Sequence, residues 1–211
     1  MSHHIYQTEG VVLSGIDAGD ASRFLYIYTK HLGLIGAWGQ GLRKIESKLR
    51  CNLQDFSHIS LNVVRGRHMW RITDAEQLSI MNGVLESRQK LVVLKQIMSL
   101  MRKLLDEGED TVLYALFTDA ILFLNTNTFS RDDLIHFELL YVFRMLHHLG
   151  YGQKTNTSNN LLFPNWNKEI IDCIGTQKII ITKLINNSLF ATQIIKGLLL
   201  YNDTLYDIVN L

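Results

Sequence analysis

Residues 23–39, RFLYIYTKHLGLIGAWG, decide the fold of the first third of the chain. Aromatic and β-branched side chains fill Arg23 to Thr29, a composition typical of a strand. Lys30 to Gly33 then supply a turn, and Leu34 to Trp38 form a second extended run that ends in glycines. This stretch therefore predicts two antiparallel strands joined by a short turn.

Three further strands are predicted around this hairpin. Gly10–Leu13 precedes a predicted loop at Ser14–Asp20, and His58–Val64 alternates apolar and polar residues. The turn Arg65–Arg67 then leads into His68–Thr73. Five short strands within about 75 residues favour a small closed barrel over an open sheet, because closure leaves no exposed edge.

The hydrophobic period changes to that of a helix from about Leu78 onward. Apolar residues recur every three or four positions from Leu91 to Leu105, and a second helix is predicted from Thr111 to Leu124. Ser130 is a predicted N-cap for a third helix that ends at Gly150. We therefore predict an α+β chain: a five-stranded β-barrel at residues 1–76 and an α-helical domain at 77–211. Residues 152–166 are predicted to form a loop, and two or three more helices are predicted within 167–211.

Composition limits the classes of protein that this chain can belong to. It has 211 residues, of which 47% are hydrophobic and 19% charged. This balance is typical of a folded globular protein and excludes a mainly disordered chain. Apolar runs are far shorter than a membrane span, and no secretory leader pattern is present at the start, so we expect a cytoplasmic protein with no membrane contact. Cys51 and Cys173 are too far apart in sequence to indicate a disulfide framework or a zinc site.

Signals for catalysis are weak. His147 and His148 are adjacent, so on a helix they point about 100° apart and do not share a metal easily. Gly36–Gly41 has the glycine spacing of a phosphate loop, but Leu42 stands where a lysine is needed. We predict a protein that is not an enzyme and that holds no cofactor and no metal.

A basic segment carries the strongest functional signal. The net charge is only +1, yet nine Lys and Arg face two acidic residues between Arg23 and Ile72. Clustered cations with interleaved aromatics are typical of a nucleic-acid surface. The candidate phosphate contacts are Arg23, Lys30, Arg43, Lys44, Lys48, Arg50, Arg65, Arg67 and Arg71, and the candidate stacking residues are Trp38 and Trp70, with Phe24, Tyr26 and Tyr28 as further aromatics. The alternative is that these aromatics are core residues and the basic loops are merely solvated.

The order of several short motifs resembles the N-terminal domain of RecO, a family of bacterial recombination mediators. Phe137–Leu140 followed by Leu149–Tyr151 resembles the helix that precedes the cysteine module of that family. The N-terminal motifs are Thr8–Leu13, Gly19-Asp20, Gly39–Lys44, Ser47-Lys48, Leu53–Phe56 and Glu76.

The resemblance implies an OB-fold barrel that binds single- and double-stranded DNA, anneals complementary strands, and works with RecR and single-stranded DNA-binding protein to load RecA. It also implies a nucleoid-associated location. By position, Arg43, Lys44, Lys48 and Arg50 match the basic loop of the family. Many relatives carry paired Cys-x-x-Cys motifs after the Leu-Gly-Tyr, whereas residues 152–160 contain no cysteine. The chain is therefore identified as a short form without the zinc module.

The resemblance further implies a site for the acidic C-terminal tail of single-stranded DNA-binding protein in the helical domain. An aromatic tail end needs an apolar slot and a cation. We predict that Leu140, Phe143 and Met145 form the slot beside Arg144, with Arg102 on a neighbouring helix. Two other functions remain open: a protein-interaction scaffold whose barrel binds DNA weakly, and an RNA-binding OB protein.

Overall fold

The computed structural model describes residues 4–44, 46–47, 49–67, 69–79, 81–152, 159–163 and 165–192. It confirms the predicted α+β class, with a closed five-stranded barrel followed by helices. The strands are β1 (Ile5–Ala18), β2 (Ser22–Thr29), β3 (Gly33–Gly39), β4 (His58–Arg65) and β5 (Trp70–Ser79). The helices are α1 (Leu49–Asn52), α2 (Asn82–Leu85), α3 (Arg88–Leu104), α4 (Thr111–Thr126), α5 (Arg131–His148) and α6 (Lys168–Ala191), with a 3₁₀ turn at Asn159–Leu162.

The chain divides into two compact units that interleave in sequence. Unit 1 consists of residues 1–82 and 98–114, and unit 2 of residues 83–97 and 115–211. Unit 1 therefore includes a helical segment that follows the barrel strands in the chain.

The barrel of unit 1 has the strand order β1-β2-β3-β5-β4, and β4 pairs back onto β1. Four of the five pairings are antiparallel. The fifth, between β3 and β5, is parallel and has only two residue pairs, Ala37 with Trp70 and Trp38 with Arg71. Side chains that point inward fill the barrel, and they include Val12, Leu25, Ile27, Ile35, Leu53, Ile59, Leu61, Val63 and Trp70.

The predicted loop at Ser14–Asp20 is wrong, because β1 continues to Ala18. A bulge between Val12 and Ser14 shifts the register, after which Gly15 pairs with Leu25 and Asp17 with Arg23. A Cβ on Gly15 would lie 2.6 Å from the Arg23 guanidinium carbon. Gly15 therefore does not interrupt β1. Its missing side chain leaves the space in which the Arg23 side chain crosses the strand.

A loop between α3 and α4, residues 105–110, completes the barrel beside β3, and we call it the seam loop. The amide of Leu34 donates to the Asp106 carbonyl, and the amide of Gly108 donates to the Leu32 carbonyl, both at 3.0 Å. Gly33 has a φ of +68°, and a Cβ on it would lie 2.3 Å from the Gly108 carbonyl oxygen. Only glycine combines this backbone angle with so close an approach.

Unit 2 is built around α5, which begins where the sequence predicts. The Ser130 hydroxyl accepts from the Asp133 amide at 3.1 Å, and the Asp133 carboxylate accepts from the Ser130 amide at 2.9 Å, which completes a capping box. Helix α6 is one helix over 168–191, whereas residues 193–211 and the predicted loop residues 153–158 lie outside the described residues. No helix within the described residues is long and apolar enough to cross a membrane.

Candidate nucleic-acid interface

The barrel carries a polar pocket of about 370 Å³, which we call the arginine pocket. It lies where the end of β1 and the start of β2 meet the segment that connects β3 to β4. Its lining residues are Asp17, Arg23, Leu42, Arg43, Arg50, Leu53 and Gln54. Three arginines from separate parts of the sequence therefore line one pocket, and two of them, Arg23 and Arg43, lie within 4.0 Å of the Asp17 carboxylate.

Arg23 is the fixed member of the arginine pocket. Its Nη2 donates to the Asp55 carboxylate at 2.9 Å, and its Nη1 donates to the Leu53 carbonyl at 3.4 Å. Its Nε lies 3.5 Å from Asp17. These contacts hold the segment around Leu53 against the barrel, so part of the charge of Arg23 is already neutralised within unit 1.

Arg43 and Arg50 are the exposed members. Arg43 donates to the Gly19 carbonyl at 3.0 Å, and its Nε lies 3.5 Å from Asp17. Arg50, by contrast, has no carboxylate of a described residue within 4.0 Å, and neither does the neighbouring exposed Lys44. Lys48, predicted to bind DNA with them, lies outside the described residues.

An aromatic strip lies on the outer face of the same strands and consists of Phe24, Tyr26 and Trp38. Phe24 pairs with Trp38 across β2 and β3, and the rings of Phe24 and Tyr26 meet edge to face at 5.2 Å. Gly36 faces Tyr26 across the sheet, and a Cβ there would lie 2.5 Å from the Phe24 ring. All three residues are half-buried.

Two arginines adjoin the aromatic strip. Arg71 on β5 is exposed and pairs with Trp38. The guanidinium of Arg102 lies 3.9 Å from the centre of the Tyr26 ring and donates to the Ser14 hydroxyl at 2.9 Å. Arg102, predicted to bind a protein tail, thus belongs to unit 1 and lies on the outer face of the barrel.

Trp70 and Tyr28 are not placed to stack on a base. Trp70 is 4% exposed and lies in the barrel core, because it is two residues from Ile72 on β5 and points inward on the same side of the strand. Its Nε1 donates to the Glu107 carboxylate of the seam loop at 3.1 Å. Tyr28 is also buried, with its ring centre 5.7 Å from that of Tyr114, and burial raises the pKa of its hydroxyl.

The remaining predicted phosphate contacts are spread over the barrel. Arg65 forms an ion pair with Glu107, and its guanidinium lies 4.7 Å from the centre of the Trp70 ring. Lys30 is half-buried in the turn between β2 and β3, and Arg67 is exposed between β4 and β5. The structure therefore brings Arg23, Arg43 and Arg50 together, and it engages Arg65 in a structural contact.

The predicted slot residues of the helical domain are interior. Leu140, Phe143 and Met145 are buried, and Arg144 is only 3% exposed. Arg144 donates to the carbonyls of Leu161 at 2.7 Å and Asn165 at 3.0 Å, and desolvation by burial lowers its pKa to about 10. Capture of a peptide tail there stays a prediction, and it would require these contacts to open.

Metal-ligating groups do not gather in the described part of the chain, where no three His, Cys, Asp or Glu side chains are grouped to hold a metal ion. Cys51 and Cys173 are both free and exposed. Sequence reasoning overlooked Asp17 as a part of the pocket. The signal that could have found it is the antiparallel register of β1 and β2, which places Asp17 opposite Arg23.

Comparison with known proteins finds that the first part of the chain is similar to the family that the motifs indicate. Residues 1–81 match the family model of the recombination protein O N-terminal domain. A DNA repair protein RecO from Rubrobacter xylanophilus is 37% identical over 87 residues, which cover 41% of this chain and 35% of that protein. The DNA repair protein RecO from Syntrophomonas wolfei is 27% identical over 147 residues, 69% of this chain and 57% of the relative. The chain thus spans between about a third and three-fifths of the length of these curated relatives.

Proposed function

The chain carries a RecO-family N-terminal domain, and from this premise we propose that it is a non-catalytic DNA-binding protein of recombinational DNA repair. The arginine pocket would bind the sugar-phosphate backbone, and the aromatic strip would stack unpaired bases. The observation that carries this proposal is that Arg23, Arg43 and Arg50 line one pocket where β2 begins, while Phe24 and Tyr26 of the aromatic strip lie on the outer face of the same strand.

The chemistry of single-stranded DNA fits both surfaces. Cations neutralise phosphates without regard to sequence, and stacking on an aromatic ring is worth about 1–3 kcal/mol per base. Outer faces of strands 2 and 3 are where OB barrels bind oligonucleotides, and the aromatic strip lies on β2 and β3. Duplex DNA would use the same cations and would leave the aromatic strip unoccupied.

The proposal is tested by the salt dependence of binding to a labelled 20-nucleotide oligo(dT), measured by fluorescence anisotropy. Neutralising four to six phosphates should give a slope of log K against log salt of roughly −3 to −4. Arg43→Ala with Arg50→Ala should reduce that slope by about 1–1.5. A matched control, Lys103→Ala with Lys183→Ala, removes the same charge elsewhere and should leave the slope nearly unchanged. A wild-type protein that fails to bind at low salt, or binds with a flat slope, contradicts the proposal.

The second candidate function is that of a protein-interaction scaffold whose barrel binds DNA weakly. The ion pairs that barrel arginines form with carboxylates of the same chain favour this function. Arg23, Arg43 and Arg65 each lie within 4.0 Å of a carboxylate, so part of the basic field of the barrel is compensated internally. The same titration with duplex DNA and with RNA of equal length distinguishes the readings. Preference for single-stranded DNA supports the first proposal, preference for RNA supports an RNA-binding barrel, and weak binding to all three supports the scaffold.

The finer activities of the RecO family extend the proposal. We propose that the chain anneals complementary strands and acts with RecR and single-stranded DNA-binding protein in loading RecA. An annealing assay with two complementary oligonucleotides, one of them coated with single-stranded DNA-binding protein, tests the first of these activities. Acceleration that is lost in the Arg43→Ala, Arg50→Ala variant would tie annealing to the arginine pocket.

A further inference from the structure

We propose that Asp17 occupies the position of a nucleic-acid phosphate in the arginine pocket, and that a backbone phosphate of the bound strand displaces it from Arg43. This inference rests on the proposed DNA binding and deepens it. It assigns Asp17 the role of an internal competitor that sets the affinity of the pocket.

The geometry of the Asp17 carboxylate is that of a bridging anion. Its Oδ1 lies 3.5 Å from the Arg23 Nε, and its Oδ2 lies 3.5 Å from the Arg43 Nε. One anion with an oxygen directed at each of two guanidinium groups is also what a phosphodiester offers through its two non-bridging oxygens. The pocket volume of about 370 Å³ leaves room for such a group.

The contacts of Asp17 are loose, which makes the carboxylate displaceable. Charge-assisted N–H···O bonds are about 2.7–2.9 Å long, and the 2.9 Å contact between Arg23 and Asp55 is of this kind. The Asp17 contacts are longer, and its side chain is 60% exposed, so it can rotate into water without leaving a buried charge. Arg23 keeps Asp55 after the exchange, and Arg43 is the residue that changes partner.

Arg50 explains why a phosphate would win this competition. It lines the same pocket and has no carboxylate of a described residue within 4.0 Å, so it contributes a cation that Asp17 does not engage. A phosphate held by Arg43 and Arg50 therefore gains a contact that the internal carboxylate lacks. Asp17 accordingly weakens binding of every anion and selects for ligands that present several phosphates at once.

The test compares Asp17→Asn with Asp20→Asn in the 211-residue chain. Both substitutions remove one negative charge from the same region, but Asp20 is exposed and does not line the pocket. Asp17→Asn should bind the 20-nucleotide oligo(dT) about two- to fivefold more tightly at 0.15 M salt, as expected when a competing exposed ion pair is removed. Asp20→Asn should change affinity by less than about 1.5-fold, because an isolated surface charge is screened at this ionic strength.

A double-mutant cycle assigns the effect to Arg43. In an Arg43→Ala background, the gain from Asp17→Asn should disappear, because the guanidinium that changes partner is gone. Asp17→Ser serves as a second variant, and thermal melts confirm that all variants are folded. Equal affinities of folded Asp17→Asn and Asp20→Asn would overturn the inference, as would a gain that persists without Arg43.

Two further outcomes separate this inference from its premise and from another ligand source. If neither the wild type nor Asp17→Asn binds the oligonucleotide, the proposed function itself fails and the inference falls with it. Competition with inorganic phosphate against chloride at equal ionic strength distinguishes a backbone phosphate from free phosphate. We expect phosphate to compete better than chloride but only at concentrations far above that of the oligonucleotide, because guanidinium groups bind phosphate oxygens in a bidentate manner. Displacement of the oligonucleotide by phosphate at an equal concentration would overturn the assignment to a nucleic-acid backbone.

Discussion

Glu107 has two partners in unit 1, and they differ in burial. Its carboxylate accepts from the buried Trp70 Nε1 and pairs with the exposed Arg65. Removing the acceptor leaves a buried indole N–H without a hydrogen bond, which costs about 1–3 kcal/mol. Glu107→Ala should therefore lower the free energy of unfolding of unit 1 by this amount in urea denaturation.

Glu109 provides the matched control two residues away in the seam loop. Its carboxylate lies 2.7 Å from the His31 ring, and both side chains are exposed. Glu109→Ala should cost less than about 1 kcal/mol, as for other surface pairs. Glu107→Gln retains an acceptor for Trp70 and should recover most of the loss. Equal effects of Glu107→Ala and Glu109→Ala would show that the contact with Trp70 contributes nothing.

The environment of some individual residues can be predicted from the sequence, and that of others cannot. Trp70 and Ile72 are two residues apart on β5, so they face the same side of the strand, and the alternation of side chains predicts that Trp70 is buried. The stacking role predicted for Trp70 rests only on its being aromatic. Arg144 could not be placed in this way. Its partners are the carbonyls of Leu161 and Asn165, which follow α5 by many residues, and no periodic pattern encodes such a contact.

At the scale of elements, the capping box of α5 makes stability depend on pH. The hydrogen bond from the Ser130 amide lowers the pKa of the Asp133 carboxyl. A carboxylate whose pKa is lower in the folded state stabilises the fold above its unfolded pKa of about 3.9, and this contribution is lost as pH falls through the folded value.

Asp133→Asn should accordingly lose less stability than the wild type when the pH is lowered from 6 to 3. Chemical denaturation followed by far-ultraviolet circular dichroism at both pH values measures the difference. Asp132→Asn is the control, since that neighbouring carboxylate is not the one that accepts from the Ser130 amide. An Asp133→Asn variant with the pH profile of the wild type would remove the capping box as the cause.

Most elements of the fold could be predicted because their signals are local. The strand composition of β2 and β3, the helical period of α3 and the Ser130 cap each lie within a short window of sequence. The seam loop carries no such signal. Its residues Asp106–Asp110 are charged and contain glycine, which indicates the end of a helix. Their pairing with β3 depends on contacts about 70 residues apart, which a local pattern does not contain.

At the scale of the molecule, the family match and the compact unit do not have the same boundaries. The match covers residues 1–81, whereas unit 1 also includes residues 98–114. A fragment of residues 1–81 would lack the seam loop, the acceptor for Trp70 and the ring of Tyr114 against Tyr28. We expect this fragment to unfold without a cooperative transition, or at a much lower urea concentration than unit 1 in the full chain.

Near-ultraviolet circular dichroism and urea titration of the purified fragment test this expectation, because Trp70 and Tyr28 report on barrel packing. The 211-residue chain with Glu107→Ala is the comparison, since it loses the side-chain contacts of Glu107 with Trp70 and Arg65 and keeps the backbone hydrogen bonds of the seam loop. A fragment as stable as unit 1 would show that the seam loop is dispensable.

The position of the seam loop in the sequence also determines when the barrel can be completed during protein synthesis. The ribosome makes all five barrel strands before it makes residues 98–114, and at about 5–20 residues per second Tyr114 follows residue 81 by roughly 2–7 s. Until then the start of β3 has an open edge that can pair with another nascent chain. The rate of translation between residues 82 and 114 therefore determines how long each newly made barrel is exposed to aggregation.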